Sequence, residues 1–466
     1  MKNHRVVVAD LGSTHVCALV AESSPEGRVS VLSAANVACD AVRDGKIVDR
    51  DQAKTALDAA LKDLSERSGP LPDALFLTIG GGDVSYVRSQ GLCPIVPPDR
   101  PITRDDVLKV INHSRQVRLD EGMVEVQAVP CAFAVDGAGD IRQPVGVAGS
   151  KLEVKSILVA YPEEGIDALE SVASGVGREI EQIVARPLCS GLAVLTPEQI
   201  ESGAVVIDIG GDLTEFAVFR NGALSGAGRV PLGGKVVTSD VAKLLKTSFE
   251  EAENLKIRFG SAIPSAVSDR ESIDVLQLGQ IQRRPMQRKV FCEIISSRVS
   301  EIAKLAKAAL ESGGLLIEPV GTVVLTGGGS LLPGVDKAFG EVFAKTRVAI
   351  QDLGLRVKRS DPSRPRGSLR LLALPGSRSN AATKNSPRRP NRTAGEAAFG
   401  RSFPRSVRAE AAAHEGPKKS RRSANPKRSA LSRWRTGYNR ERWARRSVLG
   451  SSVLGIRRTV LVRGGN

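Results

Sequence analysis

Two segments of this chain carry the same device, and that repetition constrains the fold more than any other feature. The first reads VVVADLGSTHVCALV from Val6 to Val20; the second reads VVIDIGGDLTEFAVF from Val205 to Phe219. Asp10 aligns with Asp208, Gly12 with Gly210 and Val20 with Val218. Each segment is an apolar run, an aspartate, a glycine turn and a second, alternating run, which predicts a strand, a tight turn and a return strand. Two such turns, far apart in sequence, can face each other across a cleft and hold a phosphate chain between them.

Gly12, Gly210 and Gly211 let the backbone approach a ligand and adopt positive φ. Successive N–H groups in such a turn make a concave anion site. Ser13, Thr14 and Thr214 add hydroxyl donors. Asp10 and Asp208, at the strand ends, suit the waters of a Mg²⁺, which prefers one or two carboxylates plus phosphate oxygens. The pattern is not a P-loop: GxxxxGK[ST] is absent, and a strand follows the glycines. One copy alone reads equally well as a glycine hairpin with an exposed aspartate. A third segment shifts that balance. TVVLTGGGS, Thr322 to Ser330, precedes LLPGVDKAFGEVF. It predicts a buried strand, a triple-glycine loop able to lie flat against a nucleoside, and a helix opening near Pro333.

These three segments resemble the phosphate-1, phosphate-2 and adenosine motifs of the actin, Hsp70 and sugar-kinase ATPase superfamily. Within it, the chain resembles the FtsA family of actin-like bacterial cell-division proteins. The resemblance is carried by LEVKSILVA, Leu152 to Ala160, by QAVPCAFAVDGAGDIRQPVGVAG from Gln127, by RVPLGGKVVTSDVAKLL from Arg229, and by EEAENLKIRFGSA, Glu250 to Ala262. It spans about residues 5–348. It implies an α/β, two-lobed actin-like ATPase fold that binds ATP with Mg²⁺ in the interlobe cleft. It implies nucleotide contacts from Gly12, Ser13, Thr14, His15, Gly210, Gly211, Asp212, Thr214, Gly327, Gly328, Gly329 and Ser330, with metal held through Asp10 and Asp208. It also implies that Glu253 and Lys256 lie near the nucleoside; by themselves they read equally as a solvated helix face. Two departures stand out. The lysine usual in the first turn is His15, which is mostly neutral at pH 7. At the second turn, Asp212 and Leu213 interrupt a run of glycine and threonine, and a carboxylate there repels a triphosphate unless metal intervenes.

The net charge of +16 is unevenly distributed. Residues 1–350 hold 38 Lys+Arg and 45 Asp+Glu, a net of −7, whereas residues 351–466 hold 29 and 6, a net of +23. The result is a mildly acidic body with a strongly basic tail. Length alone predicts more than one core. Cysteines 17, 39, 93, 131, 189 and 292 form no CxxC pair and suit reduced core thiols. The four histidines are scattered, which argues against a His-based metal site. Asp10 breaks the N-terminal apolar run, so it reads as a strand rather than a signal peptide, and no stretch reaches the length of a spanning helix.

The expected organisation follows the motifs. Residues 1–82 and 162–201 form the first lobe, with a helix near 51–67 that turns Ala53, Ala56, Leu57, Ala60, Leu61 and Leu64 to one face, and a strand Ala74–Ile79 ending in three glycines. Ile166, Leu169, Val172, Val176 and Ile180 keep helical spacing. Residues 83–161 form a small α+β insertion, with a helix opening at a capping box from Thr103 and directing Val107, Val110, Ile111 and Val117 inward, and strands near 124–135 and 151–160. The resemblance assigns this insertion to self-association and to contacts with other division proteins. Residues 202–233 and 313–350 form the second-lobe core. Residues 234–312 form its helical subdomain, with stripes Val241, Leu244, Leu245, Ala252, Leu255 and Phe291, Ile294, Ile295, Val299, Ile302, Leu305, which read as ordinary core.

From about residue 350 the pattern is lost. The family continues into a final strand and an Ala-rich helix, whereas here Arg, Ser and Pro dominate, a composition that predicts a disordered basic tail over 351–466. Three readings compete. One is a frameshifted form of the family's ending. Another is a basic linker to a membrane-binding helix, with Leu431, Trp434, Tyr438 and Leu449 on one face and Arg435, Arg440, Arg445 and Arg446 around it. The weakest is nonspecific nucleic-acid binding. The function expected from the resemblance is an ATP-binding protein with weak or no ATPase activity. It would form filaments on the cytoplasmic face of the inner membrane at the division site and tether FtsZ there, with no specific nucleic acid among its partners. The rival readings are a PilM-like pilus-assembly adaptor and a sugar-kinase-like phosphotransferase; no segment commits to the sugar-facing aspartate that the latter needs.

Overall fold

The computed structural model describes residues 4–24, 29–316, 321–344 and 346–351. All of them belong to one of the two units into which the chain divides, Met1–Arg378 with Trp443–Asn466. The basic tail lies outside the described residues except for Gln351.

The fold is a two-lobed actin-like one, and each lobe is built on a five-stranded sheet of the same design. In the first, the order is Glu179–Ala185, Ala74–Ile79, His4–Leu11, His15–Ser23, Val29–Ala38. In the second, it is Arg347–Ile350, Thr322–Thr326, Ala204–Ile209, Thr214–Arg220, Ala223–Val230. Both sheets read parallel, parallel, antiparallel, antiparallel across these pairings. In the second sheet Ala204–Ile209 is buried throughout and Thr322–Thr326 over its three central residues, as strands with cover on each side must be. The two hairpins share their register: Asp10 faces Cys17, and Asp208 faces Glu215. Each turn closes with the same bond, Gly12 N to His15 O at 2.9 Å and Gly210 N to Leu213 O at 2.8 Å. Despite the freedom glycine offers, Gly12, Gly210 and Gly211 are not in the left-handed region among the described residues; Gly12 and Gly211 serve close approach instead.

The helix Arg50–Ser68 buries Ala53, Ala56, Leu57, Ala60, Leu61 and Leu64, as its spacing predicts. Two expectations need correction here. The helix through Ile166, Leu169 and Val172 is Glu163–Gly175, and Gly177 at φ +70° ends it; Ile180 instead lies in the edge strand Glu179–Ala185. Leu244 and Leu305 keep helical spacing but are exposed, at 65% and 40%, because the faces that pack are narrower than the apolar stripes. The outer strand of the second sheet, Arg347–Ile350, pairs in parallel with Thr322–Thr326; the family's final strand and helix, expected to be lost after about residue 350, fall outside the described residues.

The segment between the first-lobe strands Ala74–Ile79 and Glu179–Ala185 carries a four-stranded sheet. Its order is Ala138–Ile141, Met123–Val135, Lys151–Pro162, Ser85–Pro94, and the helix Arg104–Ser114 packs on it. The Thr103 capping box forms with Asp106. Val110 and Ile111 are buried, but Val117 lies past the helix end and is exposed. This unit has a core of its own, which includes Ile102, Val110, Phe133, Leu152 and Leu158. Residues 234–312 hold three helices, Gly234–Leu245, Phe249–Phe259 and Arg288–Ser312, with a short hairpin of Ser272–Val275 and Arg284–Gln287. Among the described residues, no helix is long and apolar enough to cross a membrane.

Candidate functional site

The strand Glu179–Ala185 ends where Pro187 opens the helix Arg186–Val194, and proline in a first turn sacrifices no intrahelical bond. This helix joins the lobes. One of its faces holds both aspartates, because residues four apart lie above one another on a helix. Arg186 Nε donates to Asp10 Oδ1 at 2.7 Å, and Ser190 Oγ donates to Asp208 Oδ2 at 2.8 Å. Thr78 Oγ1 also donates to Asp10 Oδ1, at 2.6 Å. In each aspartate the second oxygen is turned toward glycine. Asp10 Oδ2 is 3.6 Å from where a Gly12 side chain would begin, and Asp208 Oδ1 lies against Gly327.

Arg186 also reaches the second lobe. Its Nη1 donates to Glu215 Oε2 at 2.9 Å, while Glu215 Oε1 accepts from the Gly81 amide at 2.9 Å. Arg186, Asp10 and Glu215 are all buried. Burial alone would pull the guanidinium's pKa down; the two carboxylates outweigh it and hold the cation above its ordinary value. A buried charge is tolerable only when paired in this way.

The glycine turns of the two lobes touch. A side chain on Gly211 would begin 2.6 Å from Ser13 Oγ and 2.7 Å from Thr14 Cγ2, so any larger residue would push both of them aside. Asp212 N donates to Ser13 Oγ at 3.1 Å. The Asp212 carboxylate accepts from Lys235 Nζ at 2.9 Å and from the Asp44 amide at 3.2 Å. Lys235 Nζ also donates to Ser13 O at 2.8 Å. His15 Nδ1 and Thr14 Oγ1 lie 3.0 Å apart.

The remaining expected residues sit around the second turn. The amides of Gly234 and Lys235 donate to Gly210 O and Gly211 O, each at 2.8 Å. Lys256 Nζ donates to Gly234 O at 3.0 Å, Thr238 Oγ1 at 2.7 Å and Glu253 Oε2 at 2.6 Å, which places Glu253 and Lys256 behind the second turn. Burial lowers the pKa of Lys256 despite the neighbouring Glu253 carboxylate. Gly327, at φ +84°, passes so close to Asp208 and Ile209 that a β-carbon would collide with both. Gly329 packs on Ile209 in the same way, with Gly328 between them. Two hydroxyls turn inward: Thr214 Oγ1 donates to Leu232 O and Ser330 Oγ to Gly327 O, at 2.8 and 2.7 Å.

Arg186, Ser190, Glu215, Lys235 and Asp44 were not among the expected site residues. Glu215 and Arg186 did carry a signal, since each is a lone charge within an apolar stretch, and such residues are rarely buried without a partner. The donor set suits a phosphate chain: the Ser13 hydroxyl, the Lys235 ammonium and the Asp212 and Asp44 amides meet where the turns touch. With the turns in contact, Ser13 and Asp212 fill the interval between them, so phosphate entry requires the lobes to part. For a magnesium ion, each aspartate offers one oxygen anchored by the helix and one facing a glycine segment. Among the described residues, no group of three or more His, Cys, Asp or Glu is arranged to hold a metal directly.

Comparison with known proteins agrees with this architecture. A family model described as the cell division protein FtsA matches residues 205–367, beyond the limit near 348 expected from the motifs. A second, described as the SHS2 domain inserted in FtsA, matches residues 81–160. The chain is similar to the cell division protein FtsA of Streptococcus pneumoniae serotype 2 (strain D39), at 32% identity over 334 residues, which covers 72% of this chain and 72% of that protein. It is similar to FtsA of Bacillus subtilis (strain 168) at 30% identity over 337 residues, covering 72% and 76%. Among solved structures, the PilM–PilN type IV pilus biogenesis complex gives a TM-score of 0.52 at 14% identity, covering 74% of this chain and 88% of that chain. That likeness concerns the fold alone.

Proposed function

The chain belongs to the FtsA family of cell division proteins, and from that premise we propose that it is an ATP-binding protein that self-assembles at the cytoplasmic face of the inner membrane and tethers FtsZ there. The observation that carries the nucleotide part is the meeting of the two Asp–Gly turns, one from each lobe, on a single connecting helix. In this reading Ser13, Thr14 and His15 of the first turn and the Gly210–Gly211 segment of the second lie along the phosphates, beside Asp212. Gly327, Gly328, Gly329 and Ser330 form the floor under the nucleoside, with Glu253 and Lys256 at its edge. Asp10 and Asp208 hold the waters of a Mg²⁺, which when bound neutralises phosphate charge.

ATP acts chiefly as a conformational ligand. Parting the Ser13 and Asp212 turns changes the angle between the lobes, and a ligand shifts such an equilibrium only by its differential affinity for the two states. Residues 83–161 carry self-association and contacts with other division proteins, and the basic segment 351–466 carries peripheral contact with anionic lipid. A pilus-adaptor role has only the shared fold in its favour.

The test is copelleting of the full chain with FtsZ, with and without anionic vesicles and Mg-ATP. Joint recruitment of FtsZ to vesicles supports the reading. FtsZ that stays in the supernatant under every condition overturns the tethering role.

A further inference from the structure

We propose that Lys235 is the phosphate-binding cation of the interlobe cleft, and that the Asp212 carboxylate takes the phosphate's place when no nucleotide is bound. This rests on the nucleotide reading of the cleft given above, and it adds both the charge that selects the ligand and the internal group that competes with it.

Lys235 is fixed at its root and reaches forward from there. Its amide is bonded to Gly211 O, so its backbone is tied to the second turn. Its ammonium crosses to the first lobe and donates to Ser13 O at 2.8 Å. Lys235 therefore touches both turns. The first turn has no cation of its own, since His15 stands where the family resemblance implies lysine. Lys235 supplies the missing charge from the opposite side of the cleft.

Asp212 has the coordination that an anion would have there. One oxygen accepts from Lys235 Nζ at 2.9 Å and the other from the Asp44 amide at 3.2 Å. The backbone of the same residue donates to the Ser13 hydroxyl at 3.1 Å. The carboxylate's two partners, an ammonium and a main-chain amide, are groups that recognise phosphate oxygens, and an ionised carboxylate is an acceptor-only group like those oxygens. Of the carboxylate's partners, Asp44 belongs to the first lobe and Lys235 to the second, and the Asp212 backbone is bonded to Ser13 of the first lobe as well. The carboxylate thus holds the lobes together in the manner of a bridging ligand. A nucleotide must displace it, and a chain of two or three phosphates offers Lys235 more charge than one carboxylate can. The ligand class is accordingly a nucleoside polyphosphate, and an uncharged nucleoside gains nothing from Lys235.

The experiment is calorimetric titration of the full chain with Mg-ATP and, separately, with adenosine, in wild type, Lys235→Gln, Asp212→Asn and the double variant. Lys235→Gln is expected to weaken ATP by about tenfold to a hundredfold, the scale of one hydrogen bond to a charged group, and to leave adenosine unchanged. Asp212→Asn is expected to tighten ATP, a gain that a folding defect cannot mimic. The double variant should gain less from Asp212→Asn than wild type does, because the two residues share one interaction. If wild type binds ATP and Lys235→Gln binds it equally well, Lys235 is not the cation and the nucleotide reading survives. Equal losses for ATP and adenosine also overturn the proposal, since a phosphate ligand must discriminate between them. ATP no tighter in Asp212→Asn than in wild type removes the competing role of the carboxylate. If neither wild type nor Asp212→Asn binds ATP, the nucleotide reading falls and the proposal with it.

Discussion

Arg186 and Ser190 stand one helical turn apart on the connecting helix, and each donates to the aspartate of a different lobe: Arg186 to Asp10, Ser190 to Asp208. One short helix face therefore registers the two half-sites against each other. Arg186 further binds Glu215, so a single guanidinium bridges carboxylates from both lobes.

Removing that guanidinium leaves two carboxylates buried without their cation. Arg186→Met is expected to destabilise the protein by about 3–5 kcal/mol, the usual result of breaking a buried pair from one side. Urea unfolding measures it. A loss below about 1 kcal/mol, the worth of an exposed pair, would show that water reaches Asp10 and Glu215.

Mg-ATP should raise the melting temperature. At about 100 times its dissociation constant, a ligand that binds only the folded state adds about 2.7 kcal/mol. The same nucleotide with chelator in place of Mg²⁺ should give a smaller shift. Equal shifts with and without the metal would exclude Asp10 and Asp208 from the role assigned to them.

The inserted subdomain should show its own acid sensitivity. Arg100 donates to Asp106 at 2.7 and 2.9 Å, and Thr103 adds its amide and its hydroxyl. The Arg100 bonds first, and then the Thr103 bonds, hold the Asp106 carboxyl well below the usual range. A depressed carboxyl contributes stability that is present above its unfolded pKa, about 3.9, and is lost as pH falls through the folded value. Asp106→Asn is expected to lower the melting temperature at pH 7 and to flatten its decline below about pH 4. A variant as stable as wild type at neutral pH would mean that the Arg100 contact does not contribute to stability.

Joining Gly82 to Pro162 should preserve nucleotide binding and abolish self-association. The deleted part has its own core, and none of the residues around the glycine turns belongs to it. The expected cost is local: Gln127 Oε1, which accepts from the buried Ala185 amide at 3.1 Å, would be lost. Sedimentation with ATP decides, and normal polymers from the shortened chain would remove the assembly role from 83–161.

Much of the frame was legible because it is local. The two hairpins, the Ala74–Ile79 strand and the Arg50–Ser68 helix each announce themselves within one period of their own pattern. Ile180 did not, because the spacing 166, 169, 172, 176, 180 stays helical across a break that only the backbone at Gly177 reveals. In the site, the turns could be read from their glycines, but what lies between them could not. Arg186 with Glu215 and Lys235 with Ser13 are pairs made across the lobes, and no periodicity connects residues that far apart. Thr214 shows the opposite error. Its place beside the glycines suggested a donor for the turn, but its hydroxyl is spent on Leu232 O.

Gly82 is where the chain leaves the first lobe for the insertion, and both lobes grip it. Its amide donates to Asp44 O at 3.1 Å, and its carbonyl accepts from Arg229 of the second lobe at 2.7 Å. The strand that follows, Ser85–Pro94, has 10 residues. At about 3.3 Å per residue it is a pointer roughly 30 Å long. A tilt of about 5° at its base would carry its tip through roughly 2.6 Å, given that rise per residue, close to the length of a hydrogen bond. The insertion is thus a long arm on a base that both lobes hold, and an angular change at that base too small to disturb either core is enough at the tip to make or break a contact with a neighbour.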